Sequence, residues 1–324
     1  MLKAICCNTN KQNFDCTTSI EQVREIRKDP NIVLWLDLEA PSEKELAEIA
    51  LEFDLHALAI EDATKENQRP KIEEYEQFYL MVFYTIDLNK ATNELQTGEI
   101  DMFLGKNYLI TVHQTFLPEL KEAEQRWTRN GHKHPWGIGV LLYSLLDTIV
   151  DHYFPVIDAL VDQAEELEDR ILLGKRQSSF TIDLLELKKQ FLTLRRIAGP
   201  QRDVLNVLTN RDNPLYDEHV IIYFRDVYDH ITRIGDSIDM HQDQLSTIMD
   251  ANLSIVSNDL NQVMRTLTAT SILLMVNALI AGIYGMNFDN MPELHWEYGY
   301  FAVLALMLGL TIVLIVYFKR LKWF

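Results

Sequence analysis

From Thr266 to Phe288 the chain carries 23 consecutive residues without Asp, Glu, Lys or Arg, and from Tyr298 to Phe318 it carries 21 more. A helix needs about 20 apolar residues to cross a hydrocarbon core about 30 Å thick, so each run is long enough to span a bilayer. The short loop between them forces an antiparallel pair. That loop holds three acids, Asp289, Glu293 and Glu297, whereas the tail after the second run holds three bases, Lys319, Arg320 and Lys322. The positive-inside bias puts the tail in the cytosol and the loop outside, which leaves both termini cytosolic.

The rest of the charge lies elsewhere. The whole chain has 30 Lys+Arg against 48 Asp+Glu, a formal charge of −18, and the surplus falls entirely in the first 265 residues, 45 acids to 27 bases. A body this acidic argues against nucleic-acid binding, which needs a basic face. MLKAICCNTN has no apolar core of signal-peptide length. Cys6, Cys7 and Cys16 have no histidine beside them at zinc spacing, so thiols in a reducing compartment are expected. A cytosolic body on a two-helix anchor in the cell (inner) membrane is the resulting picture.

Residues 1–135 read as an α/β domain. Asn31–Leu38 is a β-branched and aromatic run between Pro30 and Pro41, a buried strand. Ser42 with Glu45 three residues on makes a capping box, opening a helix that carries Leu46, Ile49 and Ala50 on one face. Strands are expected over 77–87, 99–104 and 108–113, and helices near 42–53, 55–66 and 116–129. His132 and His134 fall in a Gly/Pro-bounded loop and read as surface residues. Residues 136–262 are helical: one segment from Gly137 to about Leu173 with Pro155 as a kink or break, and one from Thr181 to Ala198 ended by Gly199-Pro200.

A third helical segment runs from about Tyr216 to Tyr284 without a proline, on the order of 100 Å at 1.5 Å per residue. Val227, Ile231, Ile234, Ile238, His241, Leu245 and Ile248 alternate in steps of four and three. After a one-residue slip the rhythm continues through Met249, Leu253, Val256, Leu260, Val263 and Leu267. This is coiled-coil spacing, a stalk entering the first membrane run without a break.

That run ends in Tyr284-Gly285-Met286-Asn287, and the loop continues to Met291-Pro292-Glu293-Leu294. YGMN closing the first of two C-terminal membrane helices, followed by MPEL, resembles the CorA-type magnesium channels (GMN-motif divalent cation transporters). Glu61-Asp62 with Gln68-Arg69-Pro70-Lys71, LLYSLLD at 141–147 and YFRDVYDH at 223–230 extend the resemblance over almost the whole chain. The resemblance implies an α+β membrane protein: a cytosolic α/β funnel, a coiled-coil stalk, a pore-lining first membrane helix at 263–287, an outer loop at 288–298, a second helix at 299–318 and a basic tail at 319–324. It further implies a homopentamer that is no enzyme and conducts Mg2+, with Co2+ or Ni2+ as further ions.

Mg2+ dehydrates reluctantly, so a filter does better to hold the hydrated ion. A ring of Asn287 amides accepts hydrogen bonds from its waters without the grip of a carboxylate ring, so that ions also leave. Gly285 suits a close backbone approach or an unusual φ; the bland alternative is a Gly-Met-Asn helix cap. Met264, Leu267, Ser271, Met275, Ala278 and Gly282 recur in steps of three and four on one face. By family position this face lines the pore, with Met264, Leu267 and Met275 as apolar constrictions and Asn261 as a polar ring at the cytosolic mouth. Alternatively the stripe packs on the second membrane helix. Asn277, about 200° around from Met275, is expected to bond a neighbouring helix. Val276 stands where family members tend to have proline. Glu293 would concentrate cations at the outer mouth.

By resemblance, Asp62 of one subunit and Asp226 of the next share a regulatory Mg2+, with Glu61 and Asp147 as candidates for a second site, where Asn67 replaces the family's histidine. The stalk is rich in Asp and poor in bases, so its acids repel one another unless cations sit between them. High cytosolic Mg2+ would bridge subunits and hold the gate shut. Two alternatives stay open: a proton-coupled Zn2+ transporter of the same family, and a membrane-tethered sensor or scaffold.

Overall fold

The computed structural model describes residues 2–8, 13–17, 20–65, 67–89, 91–130, 137–174, 179–210, 216, 218–286, 291 and 296–323. The chain forms two compact units, Met1–Thr247 and Ile248–Phe324.

The first unit is built on a seven-stranded sheet in the order β2-β1-β3-β7-β6-β5-β4. Its strands are β1 (Leu2–Asn8), β2 (Asn13–Thr17), β3 (Ile32–Glu39), β4 (Lys71–Glu74), β5 (Phe78–Asn89), β6 (Glu94–Gly105) and β7 (Tyr108–His113). Among the described strands only β3 and β7 pair in parallel; the other pairs are antiparallel. Three short helices, α1 (Ile20–Ile26), α2 (Glu43–Phe53) and α3 (Ala57–Thr64), cover one face. Val23, Leu46, Ile49, Phe53, Ala59 and Ala63 pack there with Leu34, Leu36, Leu80, Phe103 and Ile110 of the strands. The capping box at the start of α2 forms as the sequence implies: Glu45 N donates to Ser42 Oγ and Ser42 N donates to Glu45 Oε2.

The opposite face is covered by α4 (Pro118–Asn130), α5 (Ile138–Asp151), α6 (Tyr153–Leu172) and α7 (Phe180–Asn210). Trp127 of α4 meets Trp35 of β3 edge-on at 6.2 Å, and Trp35 Nε1 donates to Thr111 Oγ1. Because both faces are covered, β5 and β7 read as unbroken apolar runs rather than alternating ones. The segment from Gly137 breaks at His152, so Pro155 falls in the first turn of α6, where its missing N–H costs nothing.

The expected stop at Gly199-Pro200 does not occur: α7 continues to Asn210 with Pro200 inside it. Packing overrides the local breaker. Ala198, Val204, Leu205 and Leu208 are buried beyond or beside the proline. The buried Gln201 donates to Tyr84 O and accepts from Tyr153 Oη at 2.6 Å, and Tyr153 Oη also reaches Tyr84 O. One lost backbone bond is outweighed by a helix face tied to both α6 and β5.

His113 at the end of β7 is buried and meets Asp37 Oδ1 through Nε2 at 3.2 Å and Thr115 O through Nδ1 at 2.6 Å. Burial pushes its pKa down, but the Asp37 carboxylate and the Thr115 carbonyl outweigh it and hold the imidazole above its ordinary 6.5. A raised folded value stabilises the fold fully below 6.5 and fades as the pH rises through the folded value. Asp37→Asn, which keeps an oxygen for Thr111, should therefore cost about 1.5–3 kcal/mol at pH 6 and much less at pH 9. Thermal unfolding midpoints at the two pH values check this; equal losses would refute it.

Candidate cation pathway and regulatory acids

The helix α8 runs from Glu218 to Tyr284 and contributes to both units. In the first unit its seam is buried: Val227, Ile231, Ile234, Ile238, His241 and Leu245 are all shielded. His241 stacks on Phe191 of α7, and Arg195 of α7 donates to Gln242. From Leu253 the same seam turns outward, and Leu253, Val256, Leu260, Val263 and Leu267 are exposed.

The second unit pairs this part of α8 with α9 (Gly299–Arg320). Three stretches of the described helices are long and apolar enough to span a membrane: Ile138–Leu172, Glu218–Tyr284 and Gly299–Arg320. The apolar window of the first is 72% buried inside the protein, whereas those of the other two are 6% buried. Composition alone does not separate a core helix from a membrane helix; burial does.

Asn277 Nδ2 donates to Thr311 Oγ1 of α9 at 2.9 Å, so this amide bonds the neighbouring helix as expected. Ala269, Leu273, Val276, Ile280 and Tyr284 are buried or half-buried on the same arc. Thr266 Oγ1 donates to Trp323 O, and Trp323 stacks on Phe318, which ties the end of α9 back to α8.

The stripe proposed for the pore lies on the other side. Asn261, Met264, Leu267, Ser271, Met275, Ala278 and Gly282 are all exposed, Met275 at 68%. Counting the helix turn, the stripe is centred about 180° from the arc that holds Asn277. It does not pack on α9 of its own chain. Gly285 keeps an ordinary φ, and its N–H donates to Ala281 O at 2.9 Å. A Cβ there would meet Ala281 O at 3.1 Å, so of the two reasons for a glycine the close approach applies. Asn287 and Glu293 lie outside the described residues, as do His132 and His134.

The four regulatory candidates fall in two places. Glu61 and Asp62 sit at the end of α3, each held by a lysine of its own chain: Lys65 Nζ reaches Glu61 at 2.6 Å, and Lys71 Nζ reaches Asp62 at 2.5 Å and Glu73 at 2.7 Å. Asp147 on α5 and Asp226 on α8 come together with His230, with one ligand atom of each within 4.8 Å of the others. Asp147 is buried, and burial followed by the charge of Asp151 raises its pKa, although Arg126 is ion-paired to it. His230 Nδ1 lies 3.6 Å from Asp151.

Sequence reasoning missed His230, Lys71 and Arg126. His230 had a visible signal, since four residues separate it from Asp226 and put both on one face of α8. Asn67 sits in the left-handed region, φ 66°, and it is its backbone N–H that binds Glu99 Oε2.

A family model described as CorA-like Mg2+ transporter protein matches residues 30–320. The chain is 35% identical over 290 residues to the putative metal ion transporter YfjQ of Bacillus subtilis, covering 90% of this chain and 89% of that one. It is 34% identical over 310 residues to the cobalt/magnesium transport protein CorA of Thermotoga maritima, covering 95% and 88%. Among solved structures, the complete CorA magnesium transporter of Methanocaldococcus jannaschii superposes with a TM-score of 0.83 at 24% identity, covering 99% of this chain and 98% of that one.

Proposed function

The chain belongs to the CorA-like Mg2+ transporter family, a divalent cation transporter and not an enzyme, and from that premise we propose that it is a Mg2+ channel. It passes Mg2+ into the cytosol down the electrochemical gradient, with Co2+ and Ni2+ as further permeant ions. Five copies surround one pore. The cytosolic body comprises residues 1–262, the pore helix 263–287, the outer loop 288–298, the second membrane helix 299–318 and the cytosolic tail 319–324. Asn287 of the Gly285-Met286-Asn287 motif holds the hydrated ion, and Glu293 gathers cations outside.

One observation carries this reading. The seven stripe residues are exposed on the side of α8 away from α9, so among the described residues of a single chain nothing covers them. A ring of α8 helices around an axis gives that face an occupant, water and ions, while α9 lies outward against lipid. The apolar side chains Met264, Leu267 and Met275 then close the pore by dewetting when the ring narrows.

Closure is the second half of the reading. Mg2+ bound between Asp62 of one subunit and Asp226 of the next holds the funnels together. A second ion sits at Asp147 and Asp226 with His230, and Glu61 is a further candidate ligand for it. Loss of both ions leaves the acids to repel one another and releases the gate.

Proteoliposomes loaded with a Mg2+-sensitive dye and held inside-negative test the transport. Mg2+ influx that follows the membrane potential and survives collapse of the proton gradient is the expected result. Influx that vanishes with the proton gradient would establish coupled transport instead. No influx from protein whose native mass is five chains would leave a tethered scaffold.

A further inference from the structure

Strand β6 places Glu99, Asp101 and Phe103 on one face of the sheet, the face covered by α3. Phe103 belongs there; Asp101 breaks the pattern. It is 5% exposed and lies in register between Val82 of β5 and Val112 of β7, both buried. Its Oδ1 is buried with no hydrogen-bond partner among the described residues. Glu99, by contrast, is fully engaged: it accepts from Asn67 N at 2.6 Å, Gln68 N at 3.1 Å and Tyr84 Oη at 2.8 Å. Three donors leave that carboxylate saturated with hydrogen bonds. Burial, then the charge of Glu99, then that of Asp62, push Asp101 up to about 8, with Lys71 opposing.

Both acids line a cleft of about 170 Å3, closed on its other sides by Lys65, Asn67, Thr97 and Thr115. At about 30 Å3 for each water, this is room for five or six waters, or for an ion with most of its shell. Mg2+ is bound in that manner, through one or two carboxylates and several retained waters. A buried carboxyl oxygen lacking a partner, next to a saturated carboxylate, wants positive charge, and the cleft has space for it.

We propose that this cleft is a divalent-cation site inside the α/β domain, where Asp101 takes Mg2+ directly and Glu99 holds it through water. Its donors come from a single chain, so it is separate from the acids shared between subunits. One wall is the end of α3, Ala63 to Lys65, directly after Glu61 and Asp62. Occupancy thus fixes the segment that presents those two acids.

The test is a calorimetric Mg2+ titration of metal-stripped, full-length Asp226→Ala protein, with the site shared between subunits disabled. Binding should persist in that background, and a component of one ion per chain should be lost when Asp101→Asn is added, leaving only what the pore itself holds. Asparagine matches the neutral carboxyl in shape, so its fold should be unchanged by circular dichroism. Glu99→Gln, an outer-shell change, should weaken binding about ten- to hundredfold. Equal binding with and without Asp101→Asn would overturn the proposal, as would no binding in the Asp226→Ala background. Failure of transport itself would leave both results readable, because the titration measures binding alone.

Discussion

Asn287→Ala should cut Mg2+ influx into inside-negative proteoliposomes about ten- to hundredfold, or leave an influx that no longer prefers Mg2+. The physical reason is the chemistry of the ion. Mg2+ sheds water reluctantly, so what the pore must match is a shell of polarised water hydrogens, not a bare cation. An amide oxygen accepts from such a hydrogen in a charge-assisted bond worth about 1.5–3 kcal/mol, and alanine offers none. That range is about ten- to hundredfold in binding. Asp at the same position would go the other way, holding ions too firmly for them to leave. The dye assay with Mg2+ and Co2+ separately reads both effects. Influx equal to wild type with both ions would move the filter to another residue.

Asp226→Ala should give channels that stay open when the cytosolic side is loaded with Mg2+. Asp226 stands in both proposed regulatory sites, facing Asp147 and His230 in its own chain and Asp62 in the next. Removing it takes one carboxylate from each ion. In the site shared between subunits it leaves a single acid, Asp62, already ion-paired to Lys71. The Mg2+ level that half-closes the pore should rise at least about tenfold, one lost charged hydrogen-bond equivalent. Influx measured against graded internal Mg2+ reads the shift. Channels that still shut at the wild-type level would remove Asp226 from the gate. Because Asp226 is exposed, the fold itself should hold.

Local signals were read correctly where one residue pair decides the outcome. Ser42 and Glu45 cap α2 because the reciprocal bonds are made within four residues. The absence of proline let α8 run to Tyr284, and the step pattern marked its buried seam as far as Ile248. What failed was whatever depends on distant partners. Gly199-Pro200 reads as a stop, but Gln201 finds Tyr84 and Tyr153, more than forty residues away in sequence. Strand β1 and the edge strands β2 and β4 carry one β-branched residue each, Ile5, Thr17 and Ile72, so their pairing in the sheet is what defines them. Asp101 sits in a strand whose alternation calls for a core residue, and only the burial of its unpartnered oxygen sets it apart. Lys71 is similar. Nothing local pairs it with Asp62, nine residues earlier, until β4 takes its place beside β5.

The seam of α8 changes character partway along, and this bears on how the protein is made. A ribosome releases the chain N-terminus first, so α6 and α7 exist before α8 emerges. Everything that shields Val227 to Leu245 has therefore already been synthesised, and that half of the helix can be satisfied by a lone nascent chain. The half from Leu253 to Leu267 finds no such cover among the described residues of its own chain. One uninterrupted helix thus holds two timetables: its first turns are completed during translation, and in the proposed pentamer its later ones wait on the arrival of sister chains.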